Sequence, residues 1–391
     1  MHVITDTEAL AAFCADCAEH PYVTVDTEFL RERTYWPQLC LVQLAHPGGE
    51  EDGSAALVDP LAEGIDLEPL FALMRDTRVV KVFHAARQDL EIFWHLGGLI
   101  PAPLVDTQVG AMVCGYGDQA GYETLVRKIC KLGLDKSSRF TDWTQRPLSD
   151  KQLAYALADV THLRKIHEVL DAELERTGRK AWVAEEMAVL TDPATYRNDP
   201  KEAWRRLKTR SSSPKFLAVA RALAEWREQR AQDRDVPRNR LMKDDALLEV
   251  ASNRPASLEE LGRSRLLQRE ARKGDAAKEI LEAVQTGLDA PDGPAEAPSG
   301  GPSRSAKTAS PALTDLLKVL LKSRAEDLRV APKLLASSDD LTRIATEDAP
   351  DVPAMSGWRR AAFGDLAMQL KRGEIALSAG AEGIEIVEFE D

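Results

Sequence analysis

The chain has 391 residues, a formal net charge of −13 and 44% hydrophobic residues, enough for two or three domains with real cores. No apolar run is long enough to span a membrane, and the N-terminal MHVITDTEAL lacks the basic and apolar regions of a signal peptide, so a cytoplasmic protein with no membrane partner is expected. Five cysteines, an odd number, fit a reducing compartment rather than a disulfide framework.

In chain order, Cys14-Ala15-Asp16-Cys17 has redox or zinc spacing. It falls in an apparent amphipathic helix without a second ligand pair, so both cysteines read as small, partly buried residues. The run Tyr22-Val23-Thr24-Val25-Asp26-Thr27-Glu28-Phe29 is β-branched and aromatic, with the period of a strand. Residues i and i+2 share a strand face, so Asp26 and Glu28 project together and can hold one hard cation between them. The segment alone is equally consistent with a strand end carrying solvated acids. A second apolar strand, Val79-Val80-Lys81-Val82-Phe83, precedes a helix expected from about Ala85 to Leu96. Asp89 lies in its first turns, where a negative charge complements the helix dipole; read alone, it is structural. His84, just before that helix, reads first as a satisfied histidine at a strand end and second as a contact to a bound nucleotide. Gln43, Asp106 and Gln108 fall at element ends, where packing or capping accounts for them.

A third helix is expected to open at Ser149, with Gln152 three residues on as a capping box, and to run through Tyr155 and Asp159. The i, i+4 spacing puts these two on one face. An aspartate among apolar helical residues needs a partner, either a metal or a hydrogen bond from a neighbouring helix. To about residue 190 strand-like and helix-like segments alternate, implying a mixed sheet flanked by helices. From about 200 to 288 the pattern is wholly helical, with Phe216, Leu217, Val219, Leu223 and Trp226 at helical spacing. Residues 201–280 carry 20 Lys and Arg against 13 Asp and Glu, a local excess of +7 in a chain whose remainder is −20. That excess softens the objection that an acidic chain should avoid nucleic acid, although such runs are more often solvated helix faces. Residues 289–311, rich in Pro, Gly, Ala and Ser, read as a flexible linker. Beyond it come amphipathic helices with Trp358, Phe363, Leu366 and Leu370 as core, Arg359, Arg360, Lys371 and Arg372 facing RNA or water, and GIEIVEFED as a solvated acidic tail.

The ordered set VDTEF, His84-x4-Asp89 and Tyr155-x3-Asp159 resembles the DEDD superfamily of 3′-to-5′ exonucleases, in the subgroup with a tyrosine in its third motif. RERTYWPQLCLVQLA, VDTQVGAMVCGYGDQAGYETLV and DWTQRPLSDKQLAYALADV narrow the resemblance to the ribonuclease D family. VPRNRLMKDDALLEVASNRPASLEELGRSRLL is similar to an HRDC domain, in which Asp244-Asp245 reads as a helix start, and the C-terminal helices resemble a second, divergent HRDC-like domain. The resemblance implies an α/β ribonuclease H-like exonuclease domain (1–190), two all-α HRDC-like bundles (200–288 and 312–382) and a linker between them (289–311). It implies Asp26, Glu28, Asp89 and Asp159 as ligands of two divalent ions, Mg²⁺ or Mn²⁺, with Tyr155 orienting the attacking water. It also suggests that backbone and apolar contacts at Thr27 and Phe29 hold the terminal nucleotide, although Phe29 reads equally as core; His84 is a weaker candidate for the same contact. The expected activity is 3′-to-5′ hydrolysis of RNA, trimming precursor tRNA and other small structured RNAs to release nucleoside 5′-monophosphates, by a monomer. A DNA-directed exonuclease and a non-catalytic RNA-binding adaptor are the alternatives.

Overall fold

The computed structural model describes residues 3–49, 53–135, 137–138, 141–209, 211, 213–290, 310–381 and 383–389. They fall into two compact units. One holds the described residues of 1–28, 40–195 and 305–391; the other holds those of 29–39 and 196–304.

The first unit is built on a six-stranded sheet, β1 (Val3–Ile4), β2 (Tyr22–Leu30), β3 (Gln38–Ala45), β4 (Ala55–Val58), β5 (Val80–Phe83) and β6 (Leu104–Asp106), in the order β1-β4-β3-β2-β5-β6. Strands β2, β5 and β6 run parallel, as do β1 and β4, while β3 is antiparallel to β4, so the sheet is mixed as expected. Helices α1 (Thr7–Ala18), α2 (Glu68–Arg75), α3 (Arg87–Gly97), α4 (Thr107–Val113), α5 (Tyr122–Leu125), α6 (Asp150–Thr177) and α7 (Lys180–Leu190) complete this part. The near-continuous apolar reading of β3, buried from Leu39 to Ala45, fits a strand covered on both faces. Lys81 is a charged residue in this core: fully buried, its ammonium donates to the carbonyls of Asp76, Val79 and Ala102, satisfying all three of its donors.

Register places the functional face. Pairing of β2 with β5 runs Tyr22↔Val80, Val23↔Lys81 and Thr24↔Val82. Asp26 and Glu28 therefore lie on the stretch of β2 that continues past the carboxyl end of β5, the position where open α/β sheets bind ligands. The chain leaves β5 through Ala85, at φ +60, into α3. Asp106 holds that turn, accepting from the backbone N–H of Ala85 and Ala86, each at 2.9 Å, and it also caps α4 through Gln108 N at 2.8 Å. The helix consequently starts at Arg87, two residues later than the sequence suggests, because Ala85 and Ala86 are spent in the turn. Gln43, by contrast, caps nothing: it is fully buried and its side-chain N and O find no partner among the described residues.

The second unit is helical, with α8 (Pro214–Asp233), α9 (Arg238–Leu241), α10 (Asp244–Asn253), α11 (Leu258–Gly262) and α12 (Gly274–Asp289) around Trp204, Leu223, Leu247, Val250, Leu261 and Ile280. Asp244 does open a helix, and it pairs with the buried Arg227 at 2.7 Å. A Cβ on Gly287 would lie 2.5 Å from Val219 Cα, so α12 and α8 meet backbone to backbone there.

The C-terminal segment, α13 (Pro311–Leu328), α14 (Pro332–Leu335), α15 (Ser338–Thr346), α16 (Gly357–Arg359) and α17 (Asp365–Arg372), belongs to the first unit rather than standing alone. Trp358 stacks on Trp182 of α7 at 4.2 Å, Arg359 pairs with Glu186 at 2.6 Å, and Ala331 N donates to Met112 O at 3.0 Å. Gly115 allows the Arg329 carbonyl to approach to 2.5 Å of where its Cβ would be. Arg359 thus serves this docking; Arg360 pairs with Asp365, Lys371 with the Glu347 carbonyl and Arg372 with Glu374. Residues 383–388 of the expected acidic tail are a strand instead: β7 (Ile375–Gly380) and β8 (Gly383–Glu388) pair antiparallel, Gly380 opposite Gly383, with Ile384 and Ile386 alternating with acids in β8. The expected linker lies almost wholly outside the described residues. No helix among them is long and apolar enough to cross a membrane.

Candidate active site

Three of the expected carboxylates converge. Asp26 and Glu28 from β2 and Asp159 from α6 place one oxygen each within 4.8 Å of one another, a group able to hold a metal ion. The helix that delivers Asp159 starts where expected, with the Ser149–Gln152 capping box formed. Two hydroxyls fix its position. Thr24 of β2 lies 2.9 Å from both the Val160 and Ala45 carbonyls, and Tyr122 donates to Ala158 O at 2.8 Å. The backbone on either side of Asp159 is thereby held to the sheet and to α5.

Asp89 stands beside this group rather than in it. Its carboxylate accepts a short hydrogen bond from the Thr27 hydroxyl, so the residue between Asp26 and Glu28 holds the fourth acid from the opposite face of the strand. Thr27 is 5% exposed and its hydroxyl is committed to Asp89, leaving its backbone for the nucleotide contact that the resemblance suggested. Phe29 continues β2 half-buried. His84 points Nδ1 at the Thr107 hydroxyl, 3.0 Å away, and its ring centroid lies 5.5 Å from that of Tyr122. Burial pushes its imidazole below the ordinary histidine range.

The electrostatics show what the group lacks. Burial, and then the charge of Asp159, hold the Asp26 carboxyl well above the usual carboxylate range, against the pull of the Thr27 backbone N–H. Asp89 is raised likewise, by burial and then by Asp26. Carboxylates crowded in this way ionise together only beside positive charge, and an all-oxygen donor set suits a hard divalent cation. The Tyr155 hydroxyl is also pushed up, first by burial and then by Asp159, Glu28 and Asp26, and it hydrogen-bonds Asp159. A phenol so raised is a hydrogen-bond donor and not a general base at neutral pH.

Two neighbours escaped the sequence reading. Trp143, 4% exposed, packs its ring 6.1 Å from that of Tyr155. Arg146, in the same loop, grips Asp59 through two bonds of 2.6 and 2.7 Å and reaches the Cys40 carbonyl. Both stand in the DWTQRP stretch, but neither carries a periodicity that would mark it.

A mixed sheet with clustered acids at a strand's carboxyl end is the arrangement of a protein able to hold a hard divalent cation for hydrolysis. Residues 1–175 match a family model described as 3′-5′ exonuclease, and residues 216–284 match the HRDC domain. The chain is 58% identical to a ribonuclease D of Jannaschia sp. (strain CCS1), covering 99% of both proteins. It is 51% identical to that of Granulibacter bethesdensis, covering 98% of this chain and 96% of that protein. Among solved structures it is similar to Escherichia coli RNase D, described as an exoribonuclease involved in structured RNA processing, with a TM-score of 0.81 and 31% identity over 95% of this chain and 98% of that one. The chain belongs to the ribonuclease D family of 3′-to-5′ exoribonucleases.

Proposed function

We propose that Asp26, Glu28, Asp89 and Asp159 hold two divalent ions, Mg²⁺ or Mn²⁺, and that Tyr155 orients the water attacking the last phosphodiester. The observation that carries this reading is the convergence of Asp26, Glu28 and Asp159 with a raised, hydrogen-bonding Tyr155 beside them. Bound there, such ions supply an activated nucleophile and stabilise charge on the leaving oxygen. Thr27 keeps Asp89 facing the group, and Thr24 and Tyr122 keep α6 from drifting away from β2. The products are nucleoside 5′-monophosphates. The substrates are precursor tRNAs and other small structured RNAs with trailing 3′ residues, a reading supported by what is described for the Escherichia coli relative. The HRDC domain, residues 200–288, and the C-terminal segment, residues 312–382 as a second, HRDC-like element, hold the body of the RNA by shape and backbone contacts. The protein works as a monomer.

The test is release of labelled mononucleotides from a precursor tRNA bearing extra 3′ residues, with Mg²⁺ or with EDTA, beside a substrate whose 3′-hydroxyl is blocked. Stepwise, metal-dependent shortening that the block prevents is expected. No release with any divalent ion would overturn the site assignment, and equal shortening of a matched DNA strand would overturn the RNA preference.

A further inference from the structure

A second polar cluster in the first unit shares no residue with the carboxylates. Asp16 and His20 lie one turn apart at the end of α1, and His46 follows β3; one ligand atom from each lies within 4.8 Å of the others. The backbone of His46 is pinned on both sides, its N–H to the Ser54 carbonyl at 3.0 Å and its carbonyl to Arg164 at 3.0 Å. Its side chain is 8% exposed, and its imidazole stacks on that of His20 at 4.2 Å.

The decisive detail is the state of the two ring nitrogens of His46. Nδ1 lies 3.0 Å from the Pro47 carbonyl, which can only accept, so Nδ1 carries the proton. Nε2 lies 3.1 Å from Asp16 Oδ2 but is not aligned with it, and makes no hydrogen bond with it or with any other described residue. With Nδ1 carrying the proton, Nε2 of the neutral ring offers a buried lone pair beside a carboxylate, a juxtaposition that a cation bound to both would satisfy. An Nδ1–H donated to a backbone carbonyl is also the arrangement that orients a metal-ligating histidine.

We propose that Asp16, His20 and His46 bind one Zn²⁺ ion, with a solvent position completing its coordination. Two imidazoles and one carboxylate suit a borderline transition ion, whereas Mg²⁺ favours the all-oxygen group. The ion ties the C-terminal end of α1 to the segment that follows β3. His20, with its side chain 31% exposed, has room to turn out of its stack with His46 and bring its in-plane lone pair to the ion, and Asp16, 58% exposed, to swing its carboxylate in. Cys14 and Cys17 take no part: they face the core at 5% and 0% exposure, and burial pushes the Cys14 thiol up to about 12.

The experiment titrates Zn²⁺, and Co²⁺ as a coloured substitute, into the chelator-treated full chain with Mg²⁺ in excess to occupy the carboxylates. One equivalent is expected to bind, with visible Co²⁺ absorption bands and a raised unfolding temperature. His20→Ala and Asp16→Asn should each weaken binding at least about tenfold, in line with the loss of a ligand or its support, and leave RNA shortening unchanged. Asp26→Asn should bind Zn²⁺ like the parent chain. Because His20 and Asp16 are partly exposed, both variants test the site even if His46→Ala fails to fold. No saturable binding to the parent chain, identical binding in His20→Ala, or loss of binding in Asp26→Asn would each overturn the proposal. An ordinary imidazolium–carboxylate pair would give the first of these results.

Discussion

At the residue scale, the exonuclease site is a problem of like charge solved by neighbours. Thr27 is the clearest case, because the residue between Asp26 and Glu28 in the strand holds the fourth acid, Asp89, through its hydroxyl. Thr27→Val keeps the shape and removes the donor; it should lower activity or Mg²⁺ affinity by roughly 10–100-fold, the range for partners that orient a metal ligand. Wild-type kinetics across a Mg²⁺ titration would refute that role. Tyr155→Phe should cut kcat by about 10²–10³-fold with little change in KM, as for loss of one oriented donor in the transition state; a change confined to KM would make Tyr155 a binding residue instead. The raised Asp26 and Asp89 carboxyls also predict a pH dependence. A carboxyl raised in the folded state favours folding below its unfolded pKa and loses that contribution as pH rises through the folded value. The EDTA-treated chain should therefore lose stability from the ordinary carboxylate range upward, and Mg²⁺ should raise its melting temperature more at pH 8 than at pH 5. Equal Mg²⁺ shifts at the two pH values would contradict this.

At the element scale, what matters is which end of a strand or helix carries the chemistry. β2 was legible as a strand from its β-branched period, and α6 from Ser149 and Gln152, since both signals are local. The turn between β5 and α3 was not, because it depends on Asp106, some twenty residues away, closing over Ala85 and Ala86. Long-range contacts of this kind leave no periodicity in the segment they shape. The same holds for α8 and α12, whose close approach at Gly287 follows from a missing Cβ. Gly287→Ala would force the Cβ into Val219 and should destabilise the helical unit by about 1–3 kcal/mol, the usual range for overpacking. Chemical denaturation of the full chain measures this, and an unchanged midpoint would show that the helices can separate without penalty.

At the scale of the whole molecule, the exonuclease portion and the C-terminal segment form one unit although more than a hundred residues separate them in sequence. Trp358, read from sequence as the core of an independent bundle, spends its face on Trp182. Trp358→Ala should cost about 3–5 kcal/mol, as for other buried tryptophans, and lower the unfolding temperature of the exonuclease portion as well as its own segment. Unfolding limited to residues beyond 310 would argue for an independent domain. The sequence by itself placed Asp26 with Glu28 on one strand face and Tyr155 with Asp159 on one helix face, matters of i+2 and i+4 spacing that backbone geometry enforces locally, while the chemical class rested on the resemblance of the ordered motifs to a known exonuclease family. Only the tertiary structure decided that Asp159 meets the β2 pair directly while Asp89 attaches through Thr27. It also decided that Arg359 docks against Glu186 and that His46 faces Asp16. These are distances between segments remote in sequence, set by how sheet and helices pack, and no pattern within one segment contains them.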